Sequence, residues 1–288
     1  MGLLIPQRPA TVLERVTTRR VRPANWLDRA TLLLAIGFVL LIIAWSLVPG
    51  VFSGLDPISG IPADKLSEPD WAHPLGTDHL GRDVFSRVVH GSATSVGSAL
   101  VAVAIGLVFG SAIGLVAASI GGVVDALLMR VIDVLLAIPS LLLSMIVVVS
   151  LGFSTLNAAI AVGVSSVAVF ARVMRSEVLK VRELTFVESS YLIGAHRWRV
   201  LARHILPNAY SGVLTLAVLE FGAAVVAISI LAFLGYGNPP PWPEWGLMVS
   251  EGRDFLRSGW WLVAGPGSVI VLTVLSFNRL SQFVRERR

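Results

Sequence analysis

Cysteine is absent from the 288 residues, and with it go disulfides, thiolate metal sites and cysteine nucleophiles. Lysine occurs only as Lys65 and Lys180, and neither follows a glycine. A phosphate-cradling loop ends in Gly-Lys before Ser or Thr, so ATP binding by this chain is not expected. There is no His-x-x-x-His helix for zinc and no Gly-x-Ser-x-Gly elbow for a serine nucleophile. The chain is therefore not expected to be an enzyme by itself, and no catalytic or metal-ligating residue is assigned. Charge is scarce too, at 14% against about 25% in soluble domains.

Apolar sequence is what the chain has in quantity: 55% of residues are hydrophobic and the mean hydropathy is +0.79. A soluble core cannot absorb so much uninterrupted apolar sequence, so the expected fold class is an all-α integral membrane protein in a lipid bilayer. The formal charge of +5 and a pI near 10.4 would also suit a nucleic-acid binder. The positive charges fall in blocks between apolar runs, which suits membrane orientation instead; nucleic acid is not an expected partner.

Residues 1–29 carry Arg8, Arg15, Arg19, Arg20, Arg22 and Arg29 against Glu14 and Asp28, a basic tail that the positive-inside rule puts in the cytosol. Ala30 to Val48 is uncharged, near the ~20 residues that cross a bilayer and longer than the ~7–15 of a secretory signal. It reads as a retained first span, 30–48. Residues 49–90 are polar, acidic and rich in Pro and Gly, and are expected outside. The other spans, and a cytosolic loop at about 172–207, occupy 91–278.

Within that core, Gly91 to Val124 is uncharged and carries Gly106, Gly110 and Gly114 at four-residue spacing, a small-residue stripe for close helix packing. Asp125, Arg130 and Asp133 mark a short return through the cytosolic interface, with Arg130 and Asp133 spaced to pair on one helix face. Val134 to Ala171 reads as two spans joined by the turn at Gly152 to Asn157, the first of them kinked at Pro139. Arg172 to Arg203 is a second basic segment, again cytosolic. Leu206 to about Gly235 is the fifth span, Tyr236 to about Gly259 an external segment, Trp260 to Phe277 the sixth span, and 279–288 a basic tail. Six transmembrane helices with both termini in the cytosol is the consistent solution.

Between the fourth and fifth spans stands Glu188-Ser189-Ser190, three residues, Gly194, nine residues, then His204-Ile205-Leu206-Pro207. A helix, a glycine that permits a bend, a short basic helix and a proline opening the next span make a compact knob tied to a membrane helix. The segment resembles the EAA loop of the membrane subunits of ATP-binding-cassette importers, with Ser189 and Ser190 in place of the alanines and His204 where isoleucine is usual. A second block, His73-Pro74-Leu75-Gly76-Thr77-Asp78-His79-Leu80-Gly81-Arg82-Asp83-Val84-Phe85-Ser86-Arg87, is similar to one that precedes the second span in the C-type permeases of dipeptide, oligopeptide and nickel importers. Phe233-Leu234-Gly235-Tyr236-Gly237, Pro239-Pro240, Trp245-Gly246 and Glu251-Gly252-Arg253-Asp254 resemble the same proteins. The likeness runs from Trp26 to Asn278.

That resemblance implies a type I importer permease fold and a place in a bacterial cell membrane. It implies three kinds of partner chain: a second, B-type permease, two ATPase subunits that hold ATP and Mg, and an extracytoplasmic substrate-binding protein. The implied ATPase-coupling residues are Glu188, Ser189, Ser190, Gly194, Ala195, Arg199, His204, Leu206 and Pro207, and the extracytoplasmic motif is His73, Gly76, Asp78, Gly81, Arg82 and Asp83. Di- or oligopeptides are the implied cargo, with nickel, haem, glutathione and opines as alternatives. The rival class is a secondary transporter working without ATP. It requires internal repeats with broken helices at matching positions, which are not seen, and it leaves the basic segment without a purpose.

Two further readings come from the residues. Glu220 is the one charge of the fifth span, and a charge near mid-bilayer costs roughly 2.5–3.5 kcal/mol on insertion scales. It faces either a water-filled path or a structural partner; with Pro139 it is the candidate for the translocation path. His73, Asp78, His79 and Asp83 have the chemistry of metal ligands, but a turn at Pro74 and Gly76, with Thr77 or Asp78 capping the helix that leads into the second span, is the favoured reading.

Overall fold

The computed structural model describes residues 26–286. Most of the expected N-terminal tail, residues 1–25, lies outside the described residues, as do Arg287 and Arg288. Helix α1 is Trp26–Leu47. Helix α2, Val84–Ile120, runs through a π turn at Gly106–Gly110, and α3 is Gly122–Ala137. Then come α4, Ser140–Leu151, and α5, Thr155–Arg182. A short α6, Thr185–Leu192, precedes α7, Arg197–Phe233, which has its own π turn at Leu201–Ile205. Helix α8 is Trp245–Gly252 and α9 is Trp261–Glu286.

Helices α1, α2, α5, α7 and α9 are each long and apolar enough to cross a membrane, and α3 with α4 makes a sixth span if the bent pair counts as one. The expected kink at Pro139 is a complete break, with 93° between α3 and α4. Proline cannot donate to the helix, and it pushes the preceding Ile138 into extended backbone, φ −87° and ψ 129°.

Helix α5 organises the bundle: it packs against α2, α3, α4 and α7 and, like α2 and α7, belongs to both main apolar clusters. Ala158, Ala159, Ala161 and Val162 join a cluster that contains Trp45, Val88, Phe221, Trp245 and Trp261. Phe170, Met174, Val178 and Val181 join the other, with Ala118, Val187, Val200, Ile205 and Val213. At 1.5 Å per residue these groups span about 35 Å, enough to cover the ~30 Å of a hydrocarbon core. Gly106, Gly110 and Gly114 let α2 lie directly on α5. A Cβ on Gly110 would sit 2.6 Å from Phe170 Cβ, and one on Gly114 would sit 2.9 Å from the Arg175 amide nitrogen. Those positions are closed to any side chain.

Several local expectations change. Helix α2 begins at Val84, inside the segment expected to be polar and external, because Asp83 rather than Thr77 or Asp78 is its cap: Asp83 Oδ2 accepts from the Ser86 amide at 2.6 Å. The expected short return at Asp125 to Asp133 is a full helix, α3. Arg130 and Asp133 do not pair; Asp133 accepts from Arg172, and Asp125 binds Arg175 through two hydrogen bonds of 2.6 Å, so both carboxylates clamp α3 to α5. The segment 236–259 holds α8, whose Trp245, Gly246 and Met248 are buried. Helix α9 continues past Phe277 without a break, and Arg279 donates to the Asp28 carbonyl at 2.9 Å, bringing the start of α1 to the end of α9.

Candidate functional site

The sequence-predicted residues fall at opposite ends of the bundle. At one end, α6 and the first turns of α7 form a head. Val187, Val200 and Ile205 are at most 1% exposed and root it in the second apolar cluster. Above that root the head shows apolar side chains to its surroundings, with Leu192 87% and Ile193 86% exposed.

Gly194 makes this shape. Its φ of +82° is left-handed, and it ends α6 with paired hydrogen bonds, from its own amide to the Tyr191 carbonyl at 3.0 Å and from the Ala195 amide to the Ser190 carbonyl at 3.1 Å. Ser189 and Ser190 turn their hydroxyls inward along α6, onto the carbonyls of Thr185 and Phe186, both at 2.8 Å. In this way they present little more polarity to the surface than alanine would. Glu188 and Arg199 are exposed. The His204 ring packs edge-on to Phe186, with centroids 6.1 Å apart, so it braces α6 against α7 while Ile205 takes the buried position. Pro207 comes two residues after the end of the π turn at Ile205; its missing N–H and its ring disfavour a regular α turn there.

At the other end, the block from His73 to Arg87 closes into a polar core. Asp78 Oδ1 accepts from the amides of Leu80 at 2.8 Å and Arg82 at 3.0 Å, while Oδ2 binds the Arg82 guanidinium. Gly76 and Gly81 supply the turns. Arg82 and Arg87 are each 1% exposed and converge on Glu251 of α8, at 3.4 and 3.0 Å. Arg87 also donates to the carbonyls of Pro57 and Pro241, at 3.1 and 3.2 Å. The four candidate metal ligands diverge: His73 pairs with Asp83 at 2.9 Å, Asp78 faces arginine, and His79 stacks on Phe255.

One residue here was missed entirely from sequence. Glu244, at the start of α8, is 2% exposed; its Oε2 accepts from Thr155 Oγ1 at 2.7 Å, and its Oε1 has no partner among the described residues. Burial pushes this carboxyl up to about 7, against the opposing pull of the Thr155 hydrogen bond. Unfolded, it titrates near 4.5, so between those values folding takes up a proton, and stability falls as pH rises and levels off above about 7. At about 1.4 kcal/mol per unit, the loss is on the order of 3 kcal/mol. Melting curves from pH 5 to 8 should therefore show a decline in the wild type that Glu244→Gln removes. Parallel curves for the two proteins would sink this expectation. Only the Trp-Gly pair after Glu244 hinted at burial, and nothing nearby in the chain pointed to Thr155.

Glu220 lies on α7, half-buried, and makes no hydrogen bond or ion pair among the described residues. Pro139 is exposed at the α3–α4 break. The structure does not bring these two into contact with the head or with the polar core.

Comparison with known proteins places these features. The family described as binding-protein-dependent transport system inner membrane component matches residues 91–288. The dipeptide transport system permease protein DppC of Alkalihalophilus pseudofirmus is 38% identical over 225 residues, 78% of this chain and 74% of that protein. The glutathione transport system permease protein GsiD of Pectobacterium atrosepticum is 37% identical over 250 residues, 86% and 83% of the two chains. Among solved structures, the MetNI methionine ABC transporter in an inward-facing conformation superimposes with a TM-score of 0.57 at 17% identity, over 69% of this chain and 94% of that one. At that identity the likeness speaks for the fold alone.

Proposed function

The chain belongs to the binding-protein-dependent transport system inner membrane components, and on that premise we propose that it is the C-type permease of a di- or oligopeptide importer. As a member of that family it is a non-catalytic, multi-pass inner-membrane subunit of an ATP-binding-cassette importer for peptide-like solutes. The finer reading adds a B-type permease as the second half of the pathway, two ATPases that carry ATP and Mg, and an extracytoplasmic binding protein that delivers cargo. The chain crosses the membrane six times, the bent α3–α4 pair serving as one span, with both termini and the head in the cytosol.

The observation that carries this reading is the head itself. Its tip, Leu192 and Ile193, is almost fully exposed, yet its base is locked into the core by Val187, Val200 and Ile205. A surface apolar patch on a rigid base fits a partner protein, and rigid attachment to α7 converts movement of that partner into movement of a membrane helix. Glu188, Ser189, Ser190, Gly194, Ala195, Arg199, His204, Leu206 and Pro207 form or support the coupling surface. At the other end, the block of His73, Gly76, Asp78, Gly81, Arg82 and Asp83 frames the extracytoplasmic mouth. Glu220 serves the path: a half-buried carboxylate without a partner among the described residues is suited to a cargo's ammonium group, and the break at Pro139 frees backbone beside that route.

Purifying the tagged chain from its native membrane tests the assignment: a second permease and an ATPase should come with it, and recovery alone would sink it. In proteoliposomes containing the whole transporter, uptake of a labelled dipeptide and of glutathione separates the two cargoes suggested by the relatives. Glu220→Gln should lower dipeptide uptake at least about tenfold, the loss of one charge-assisted contact, with assembly unchanged. Lost assembly would make Glu220 a structural residue instead.

A further inference from the structure

Between the last turn of α2 and the head lies a cavity of about 710 Å³. Its polar lining is Ser119, Arg182, Tyr191 and Arg197, its apolar lining includes Trp198 and Ile205, and no carboxylate lines it among the described residues. Arg182 spends one donor on the Ala118 carbonyl at the end of α2. The Arg197 guanidinium has no hydrogen-bond or ion-pair partner among the described residues, and Ser119 Oγ is buried without one there. Two guanidinium groups beside an unused hydroxyl suit a phosphate, which arginine binds through paired N–H donors.

The surroundings narrow the source of that phosphate. On α2, Val116 and Ile120 are four residues apart and so share a face, and both are exposed, at 45% and 62%; they run from the cavity along the membrane-crossing part of the helix. Trp198 is 69% exposed at the rim, and tryptophan prefers the headgroup level of a bilayer. Basic pockets between membrane helices on the cytoplasmic side are suited to anionic lipid headgroups. We propose that this cavity holds the headgroup of an anionic phospholipid, its phosphate between Arg182 and Arg197 and its acyl chains along Val116 and Ile120. The lipid then bridges the end of α2 and the coupling head, so membrane composition tunes how firmly the head is held. This inference rests on the cytosolic placement of the head proposed above.

The test uses the complete transporter in nanodiscs of phosphatidylcholine doped with photoactivatable phosphatidylglycerol. Crosslinks should map to 191–201 in the assembled wild-type complex. Arg197→Gln should reduce them about tenfold, while Arg197→Lys, which keeps the charge, should retain most of them. Labelling elsewhere overturns the proposal, as does labelling confined to the chain without its ATPases, which would mean that the ATPase covers the cavity. Displacement of the lipid by excess inorganic phosphate would make it a free-anion site and overturn it too. Should Arg197→Gln fail to assemble, the wild-type map still decides. Because this chain has no cysteine, Leu192→Cys is its one thiol, and a membrane-impermeant reagent applied to right-side-out and to inverted membrane vesicles reports the side that it faces. Labelling from the outside would refute the placement of the head, whereas labelling from the cytosol with no crosslink would refute only the lipid.

Discussion

Gly194→Pro should abolish cargo uptake while the transporter still assembles and its ATPase still turns over, with hydrolysis no longer stimulated by loaded binding protein. Proline fixes φ near −65°, whereas Gly194 sits at +82° and donates its amide to Tyr191. Both hydrogen bonds that end α6 are therefore lost or displaced, and Leu192 and Ile193 are re-aimed. The base of the head is untouched, since Val187, Val200 and Ile205 lie in a separate buried contact. Gly194→Ala is the control: nothing lies within 4 Å of the added Cβ, so only the left-handed backbone is penalised, by about 1–2 kcal/mol. Coupling should then be weakened without being lost. Glu188→Arg tests the same surface by charge, because an exposed reversal in the first turn costs the helix only about 0.3–1 kcal/mol, and a large transport defect must then come from the partner. Normal coupling in both Gly194→Pro and Glu188→Arg would leave the head without a role.

How much of this was legible in the chain depends on the range of the interaction. Membrane helices announce themselves through runs of uncharged residues, and the head through a spacing of small residues, Gly194 and Pro207, all local signals. The glycine stripe on α2 was equally readable, since a four-residue period needs no knowledge of the opposing helix. What failed were pairings. Arg130 and Asp133 stand at a suitable helical spacing, yet Asp133 turns to Arg172, 39 residues on, because α3 packs against α5. The cap of α2 was placed at Thr77 or Asp78, whose side chains in the fold serve Ser67 and Arg82. The bend at Pro139 was visible, but its size was not, since a proline inside a bundle yields a kink or a break according to what packs on either side. Glu251 carried no local signal of burial, and Glu244 only the Trp-Gly pair that follows it.

Arg87→Met is expected to be the most destabilising single change outside the transmembrane contacts. Arg87 holds three separate pieces of chain: it donates to Pro57 and Pro241 carbonyls and to Glu251, and stands 3.8 Å from Asp78. With Arg82 it balances two carboxylates by two guanidinium groups in a nearly dry site. Removing one partner of such a buried set leaves an uncompensated charge, at a cost of roughly 3–5 kcal/mol. Arg87→Lys keeps the charge but not the planar fork that reaches several acceptors at once, so it should fall between. Pairing Arg87→Met with Glu251→Gln should recover part of the loss, because the stranded charge is then gone. Thermal unfolding of the purified complex reads all of these, and a change within about 0.5 kcal/mol, the range of ordinary surface substitutions, would show that the cluster is not holding these segments together. Since Glu251 sits on α8, packed against α7 and α9, loosening it also frees the C-terminal end of the helix whose first turns form the head. Arg87→Met should therefore impair transport even at temperatures where the protein remains folded.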